Sequence, residues 1–140
     1  MGSAQRILVI DDNRSLVKVI EGILTKEGYE VLTAFDGHEG LQKAVAEKPD
    51  LVILDIVMPK ADGYEVCRLL HDNPATETIP VLMLTVKGQV DEALDKETLG
   101  ARYAERRMGF DVGALDFMNK PVKANELLEA VKKLIWHIPA

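Results

Sequence analysis

Acidic side chains follow two strongly apolar runs in this chain of 140 residues. The run 51–54 leads directly into Asp55, and the run 7–10 leads into Asp11 and Asp12. Short apolar runs bounded by polar residues or proline are typical of strands that are buried on both faces of a parallel sheet. Carboxylates placed after such strands would lie at the carboxyl edge of the sheet, where open parallel sheets bind ligands.

Two other strand-like segments end in residues that complement carboxylates. Thr85 follows the run 81–84, and Lys120 follows the stretch 114–119. Crowded carboxylates raise one another's pKa values unless a cation lies among them, and hard oxygen ligands favour Mg²⁺. A lysine ammonium and a threonine hydroxyl can hold phosphoryl oxygens. Since a carboxylate can itself be a nucleophile, the combined set predicts an aspartyl phosphate.

Other chemistries find little support at the same positions. Taken singly, each of these residues is more often a helix cap, a turn residue or a solvated charge, so only their joint placement indicates a site. No histidine or cysteine follows any of these strands, which disfavours a zinc site or a cysteine–histidine nucleophile. The sequence also lacks a Gly-x-Gly-x-x-Gly motif and a Walker loop, so no nucleotide cradle is recognisable.

The elements that must position these residues form a regular alternation of strands and helices. Because right-handed crossovers place helices on both faces, the alternation predicts an α/β fold, a doubly wound, five-stranded parallel sheet. The segment 30–35 is shorter and more mixed, which favours a place nearer the sheet edge. Asp12 or Asn13 is expected to cap the first helix. Apolar positions at helical spacing include Leu41, Ala44 and Val45 in the second helix and Val66, Leu69 and Leu70 in the third.

Composition and charge narrow the class of protein. The net charge of -6 disfavours a direct nucleic-acid surface. No apolar run approaches the ~18 residues of a membrane helix, so a membrane partner is not expected, and no secretory signal is visible. The single cysteine, Cys67, suits a packing role in a cytoplasmic protein. Residues 1–5 are expected to be a cloning remnant or disordered start, 6–137 one domain, and 138–140 a tail.

Together these motifs resemble the receiver domain of two-component response regulators, over about residues 6–135. The resemblance implies a flavodoxin-like fold with strand order 2-1-3-4-5, similar to chemotaxis regulators. It rests on five motifs in the family's order: IDD at 10–12, LDIVMP at 54–59, DG at 62–63, LT at 84–85 and DFMNKP at 116–121.

The resemblance implies that Asp55 accepts a phosphoryl group from a histidine kinase or a phosphotransfer protein. The reaction would depend on Mg²⁺ and would switch a partner-binding surface. The domain would not be an enzyme, since it would catalyse only its own phosphorylation and dephosphorylation. Asp12, Asp55 and the backbone carbonyl of Val57 would hold the metal directly, and Asp11 would support it through water.

The same resemblance assigns roles to residues of the last two strands. Thr85 would bond a phosphoryl oxygen and follow it inward, and Lys120 would pair with Asp55 and then with the phosphoryl group. Phe117 takes the position of the family's aromatic switch, although an ordinary core aromatic is an open alternative. Such coupling requires two states that differ by only a few kcal/mol.

The segment between the fourth and fifth strands departs from the family pattern. Thr85 and Lys120 are separated by 34 residues, whereas two loops, one helix and the start of a strand need about 25. An enlarged fourth-helix region is therefore expected at 88–113, as one long helix or two shorter ones. It would serve as a dimer or output surface through 88–120, as a lid, or only as a solvated extension.

Two valines distinguish the surroundings of Asp55. Val86 follows Thr85 where the family favours a smaller residue, and Val57 offers no polar side chain to orient water. Both predict a long-lived phosphorylated state, although the charge of Lys87 could reach the phosphoryl group.

Three rival functions remain open from the sequence. A phosphatase or phosphotransferase with an aspartyl nucleophile commonly carries a second acid two residues later, where this chain has Val57. A protein-interaction module with altered switching would keep the fold without the full signalling cycle. A flavin-binding domain of similar topology would need a phosphate loop that is not recognisable here.

Overall fold

A five-stranded parallel sheet organises the chain, of which the computed structural model describes residues 5–55, 63–86 and 115–136. The strand order is β2-β1-β3-β4-β5, and every neighbouring pair is parallel. This topology confirms the predicted doubly wound fold. The strands are β1 (Arg6–Ile10), β2 (Glu30–Ala34), β3 (Leu51–Asp55), β4 (Val81–Val86) and β5 (Leu115–Lys120). The helices in the described ranges are α1 (Arg14–Lys26), α2 (Gly37–Glu47), α3 (Gly63–Asp72) and α4 (Ala124–Trp136).

Two apolar cores lie on opposite faces of the sheet, because successive strand side chains point to opposite sides. Residues of α2 and α3 pack on one face, and residues of α1 and α4 pack on the other. Every residue of β3 is buried, as the unbroken apolar run 51–54 predicts. β2 lies at one edge of the sheet, which confirms the inference from its mixed sequence. Cys67 is buried within the α2–α3 core, in agreement with a packing role.

The start of α1 is fixed by Asn13. Its side chain accepts a hydrogen bond from the backbone N–H of Leu16 at 3.1 Å, so Asn13, rather than Asp12, is the N-cap. The helix ends before Gly28, which has a φ of +95°, a conformation that glycine adopts without steric cost. None of the helices in the described part of the chain is both long and apolar enough to cross a membrane.

Several local predictions need correction. β2 ends at Ala34 rather than at residue 35, and β4 continues through Thr85 to Val86, because its pairing with β5 persists to that point. β5 likewise includes Lys120. Two residues assigned to apolar helical faces, Val45 and Leu69, are 40% and 37% exposed. The enlarged region 88–113, residues 1–4 of the expected start 1–5, and the expected tail 138–140 lie outside the described residues.

Gly40 allows α2 to approach β1 closely. A methyl group on Gly40 would lie 2.8 Å from Cγ1 of the fully buried Ile10, and closer still to its Cδ1. We expect Gly40→Ala to lower the free energy of unfolding by about 1–3 kcal/mol, the usual range for overpacking. The measurement is chemical denaturation followed by circular dichroism.

The matched control is Gly22→Ala in α1, where an added methyl group would meet no atom within 4 Å. That variant should gain stability, by up to ~1 kcal/mol, because alanine favours helix. Equal effects of the two substitutions would contradict the close approach of α2 to β1.

Candidate functional site

Two of the predicted acidic residues are neighbours on the central strands. The register pairs Ile10 of β1 with Leu54 of β3, so Asp11 and Asp55, which follow them, lie side by side. By strand alternation both side chains leave the sheet on the face that carries α1 and α4. Asp11 is fully buried, and Asp55 is 4% exposed. The fold therefore places two carboxylates close together in a region with little water.

Lys120 supplies the counter-charge to both carboxylates. Its Nζ donates a hydrogen bond to Asp55 Oδ1 at 3.1 Å and lies 3.4 Å from Asp11 Oδ2. β4 separates β5 from β3, so the side chain must extend across one strand to make these contacts. The Lys120 side chain is 20% exposed. A long side chain at the end of β5 is thus needed to reach the acidic pair.

Burial shifts the ionisation of Asp11. Loss of hydration is the largest cause, and it raises the pKa of Asp11 from 3.8 to about 6. The charge of Asp55 also raises this pKa, whereas the backbone N–H of Asn13 and the ammonium of Lys120 lower it. The N–H of Asn13 donates to Asp11 Oδ1 at 3.0 Å. The sequence predicted that mutual repulsion would raise the carboxylate pKa values; for Asp11, burial contributes more.

The three predicted carboxylates form a cluster compatible with a cation. Carboxylate oxygens of Asp11, Asp12 and Asp55 lie within 4.8 Å of one another. Asp12 is exposed, while Asp11 and Asp55 are buried. Within the described ranges, the buried Oδ2 of Asp11 has no hydrogen-bond partner beyond its ion pair with Lys120. Oxygen-rich, partly open clusters of this kind suit Mg²⁺, which retains several waters.

The remaining predicted site residues are described only in part. Thr85 lies at the carboxyl end of β4, one residue beyond the Leu84 that pairs with Asp55, and Phe117 lies within β5. The side chains of Thr85, Val86 and Phe117 lie outside what the structure describes, as do Val57 and Lys87 entirely. The backbone therefore brings Thr85 to the same edge as the acidic cluster.

The structure also reveals a contact that the sequence analysis did not identify. The guanidinium of Arg14 stacks over the ring of Phe35, with Cζ 4.0 Å from the ring centroid. The pair borders a cleft between α1 and β2. The sequence shows two basic residues one helical turn apart, Arg14 and Lys18, which could have indicated a basic surface at the start of α1. The contact of Arg14 with Phe35 could not be predicted in this way, because the two residues are distant in sequence.

Comparison with known proteins identifies the fold family. The model of the response regulator receiver domain matches residues 7–132. The chain belongs to the response regulator receiver family. This receiver domain is 41% identical to the alkaline phosphatase synthesis transcriptional regulatory protein PhoP of Bacillus subtilis, over 94% of this chain and 48% of that protein. It is 38% identical to the DNA-binding dual master transcriptional regulator RpaA of Synechocystis, over 93% of this chain and 48% of that protein.

A solved structure supports the same assignment. The chemotaxis response regulator CheY4 of Vibrio cholerae matches the receiver domain with a TM-score of 0.76 and 29% sequence identity. The match covers 94% of this chain and 98% of that one. Receiver domains act in two-component signalling and are generally classed as signalling domains rather than enzymes.

The relatives also bear on the expected partners. The chain spans about half the length of the two curated relatives named above. Because one of them is named as a DNA-binding regulator, the expectation that this protein has no nucleic-acid partner is not supported.

The raised pKa of Asp11 predicts a pH-dependent stability in the absence of divalent metal. Between about pH 4 and pH 6 the unfolded chain loses the Asp11 proton while the folded chain keeps it. Stability should therefore fall over this interval, by up to about 3 kcal/mol, and this contribution should level off above the folded pKa. In Asp11→Asn this loss should be absent, so the variant becomes more stable than the native chain above pH 6.

Denaturation in the presence of a chelator at a series of pH values measures this difference. Asp72→Asn, which removes an exposed carboxylate from α3, serves as the control and should keep the native pH profile. Parallel profiles for Asp11→Asn and the native chain would contradict the assignment.

Proposed function

We propose that this receiver domain accepts a phosphoryl group on Asp55 from a histidine kinase or a phosphotransfer protein, in a Mg²⁺-dependent reaction. The observation that carries the proposal is the cluster of Asp11, Asp12 and Asp55, in which Lys120 forms ion pairs with both Asp11 and Asp55. A nucleophilic carboxylate needs a nearby cation to offset its repulsion from a phosphate donor, and this arrangement provides one. Membership of the receiver family supports the same function.

Asp55 is the carboxylate best suited to be the acceptor. It ends a central, fully buried strand and pairs with Leu84 of β4. In the proposed reaction a carboxylate oxygen of Asp55 forms a bond to phosphorus as the bond from phosphorus to the donor histidine nitrogen breaks. Lys120 already contacts Oδ1 and would remain beside the new phosphoryl oxygens. Asp11, by contrast, is fully buried.

The metal would be held by oxygen atoms of the same cluster. We assign direct coordination to Asp12, to Asp55 and to the backbone carbonyl of Val57, and support through water to Asp11. Bound Mg²⁺ would neutralise part of the negative charge on the carboxylates and on the incoming phosphoryl oxygens. Asp12 is exposed, which suits an ion that keeps part of its water shell.

Phosphorylation is proposed to alter a surface that includes β5, the edge strand on the side of the sheet away from β2. Thr85 would bond a phosphoryl oxygen, and Phe117 would turn inward as Thr85 moves. Thr85 and Phe117 belong to neighbouring strands, because β4 pairs with β5 throughout its length. Residues 88–120 would then present the changed surface to a second copy of the chain or to an output partner.

Phosphate transfer to Asp55 can be tested with a small phosphodonor. After incubation with such a donor and Mg²⁺, intact mass spectrometry should show one phosphoryl adduct, and Asp55→Asn should abolish it. Asp72→Asn should retain the adduct, because Asp72 is an exposed residue of α3 that pairs with Arg68. An adduct that persists in Asp55→Asn would overturn the assignment.

The lifetime of the phosphorylated state tests the proposed roles of Val57 and Val86. We expect slow loss of the adduct in Mg²⁺ buffer, since neither valine carries a polar group that could orient a hydrolytic water, and we propose that Val86 restricts the approach of that water. Val57→Asn should accelerate the loss by roughly tenfold or more, which corresponds to ~1.4 kcal/mol or more of the barrier. Loss within seconds in the native chain would contradict this prediction; Val57→Ala, which adds no polar group, is the control.

A further inference from the structure

A cleft of about 420 Å³ lies between α1 and the edge strand β2. Its α1 side includes Arg14, Lys18 and Glu21, and its β2 side includes Thr33 and Phe35. The two residues of the β2 side are partly buried, whereas the three charged residues are exposed. The lining combines two apolar residues, Val17 and Phe35, with polar and charged side chains, and the volume lies within the range of small-molecule sites.

The charges in this cleft are ordered along α1. Arg14, Lys18 and Glu21 follow one another at helical spacing, so they lie along one side of α1. Arg14 and Glu21 are about 10 Å apart along the axis. Two cations therefore occupy the end nearer the carboxyl edge of the sheet, and one acid occupies the other end. In a chain with a net charge of -6, this local excess of positive charge attracts anions.

The stacking of Arg14 on Phe35 prepares the cationic end for binding. The ring contacts the face of the guanidinium at 4.0 Å, while the N–H groups lie in the guanidinium plane and point to its periphery. The side chain is thereby held in one region while its donors stay available to a ligand. Because Arg14 is already ordered, a bound anion would cost less side-chain entropy than one held by a freely moving arginine.

The cleft lies close to the acidic cluster but is separate from it. The N–H of Asp11 donates to the carbonyl of Ala34 at 3.1 Å, which places Phe35 beside Asp11 across β1 and β2. Asp55 lies beside Asp11 on the other side. At 4.7–4.9 Å per strand, Phe35 and Asp55 are thus about 10 Å apart along the sheet.

We propose that this cleft is a binding site for a small organic anion, one that carries a phosphate or carboxylate on a flat apolar body. Arg14 and Lys18 bind the anionic group, Phe35 and the wall of α1 contact the flat body, and the hydroxyl of Thr33 donates or accepts a hydrogen bond. Glu21 favours a ligand whose far end carries a donor rather than a second negative charge. The site is independent of phosphate transfer to Asp55.

Phenyl phosphate is a suitable probe, and isothermal titration of the full chain measures its affinity. Arg14→Gln and Lys18→Gln should each weaken binding about tenfold, equivalent to the loss of one charge-assisted hydrogen bond. Phe35→Leu should weaken phenyl phosphate more than inorganic phosphate, because it removes the contact with the phenyl ring as well as the ordering of Arg14. Lys26→Gln removes a charge from the same helix outside the cleft and should have no effect. Circular dichroism of each variant verifies that it is folded.

Two further experiments distinguish binding in this cleft from binding elsewhere on the domain. Asp55→Asn should change the affinity little, whereas an anion held by Lys120 in the acidic cluster should bind much more tightly once this carboxylate is removed, so such a gain would overturn the proposal. Benzoate should bind if the site accepts carboxylates as well as phosphates. Failure of both aromatic anions to bind at millimolar concentration, or equal affinities for phenyl phosphate and inorganic phosphate, would also overturn it. If an acidic peptide binds through Arg14 while phenyl phosphate does not, the cleft is a protein-docking surface instead.

Discussion

One ammonium group is shared by two buried carboxylates, and this contact constrains the order of the strands. Asp11 and Asp55 have left water almost completely, and the ion pairs with Lys120 offset part of that cost. Such a contact requires β1 and β3 to be adjacent and β5 to lie within one side-chain length of them. The strand order β2-β1-β3-β4-β5 satisfies that requirement. A buried carboxylate without its partner cation would be strongly destabilising, so the sheet order and the site depend on each other.

Much of this arrangement follows from local sequence patterns. The apolar runs of β1 and β3 identify central strands, and the polar residues that follow them identify the edge where the acids meet. The alternation of elements determines the doubly wound topology, and the receiver motifs give the strand order. These patterns predict the fold because burial and periodicity depend on the types and spacing of residues that are consecutive in the sequence.

Other features depend on pairing between distant segments and could not be read in this way. β4 extends to Val86 because β5 continues to pair with it, and nothing in the local sequence of β4 specifies that length. The helical period assigned Leu69 to an apolar face, but it does not determine how much of that face a neighbouring element covers. The contact of Arg14 with Phe35 arises only because the end of β2 lies beside the start of α1. The choice of Asn13 as N-cap leaves Asp12 to join the acidic cluster, a distinction that two adjacent capping residues do not reveal.

The double role of Asn13 has a consequence for protein engineering. Its side chain begins α1, and its backbone N–H holds Asp11 Oδ1, so the orientation of the helix and that of the buried carboxylate are set by one residue. A chimera that exchanges α1 together with its N-cap Asn13 between two receivers would therefore transfer part of the acidic cluster's support as well as a helix surface. Residues 11–16 form the smallest unit that can be grafted without separating these two functions. Exchanges that begin within this unit would alter the geometry of the site even when every carboxylate is retained.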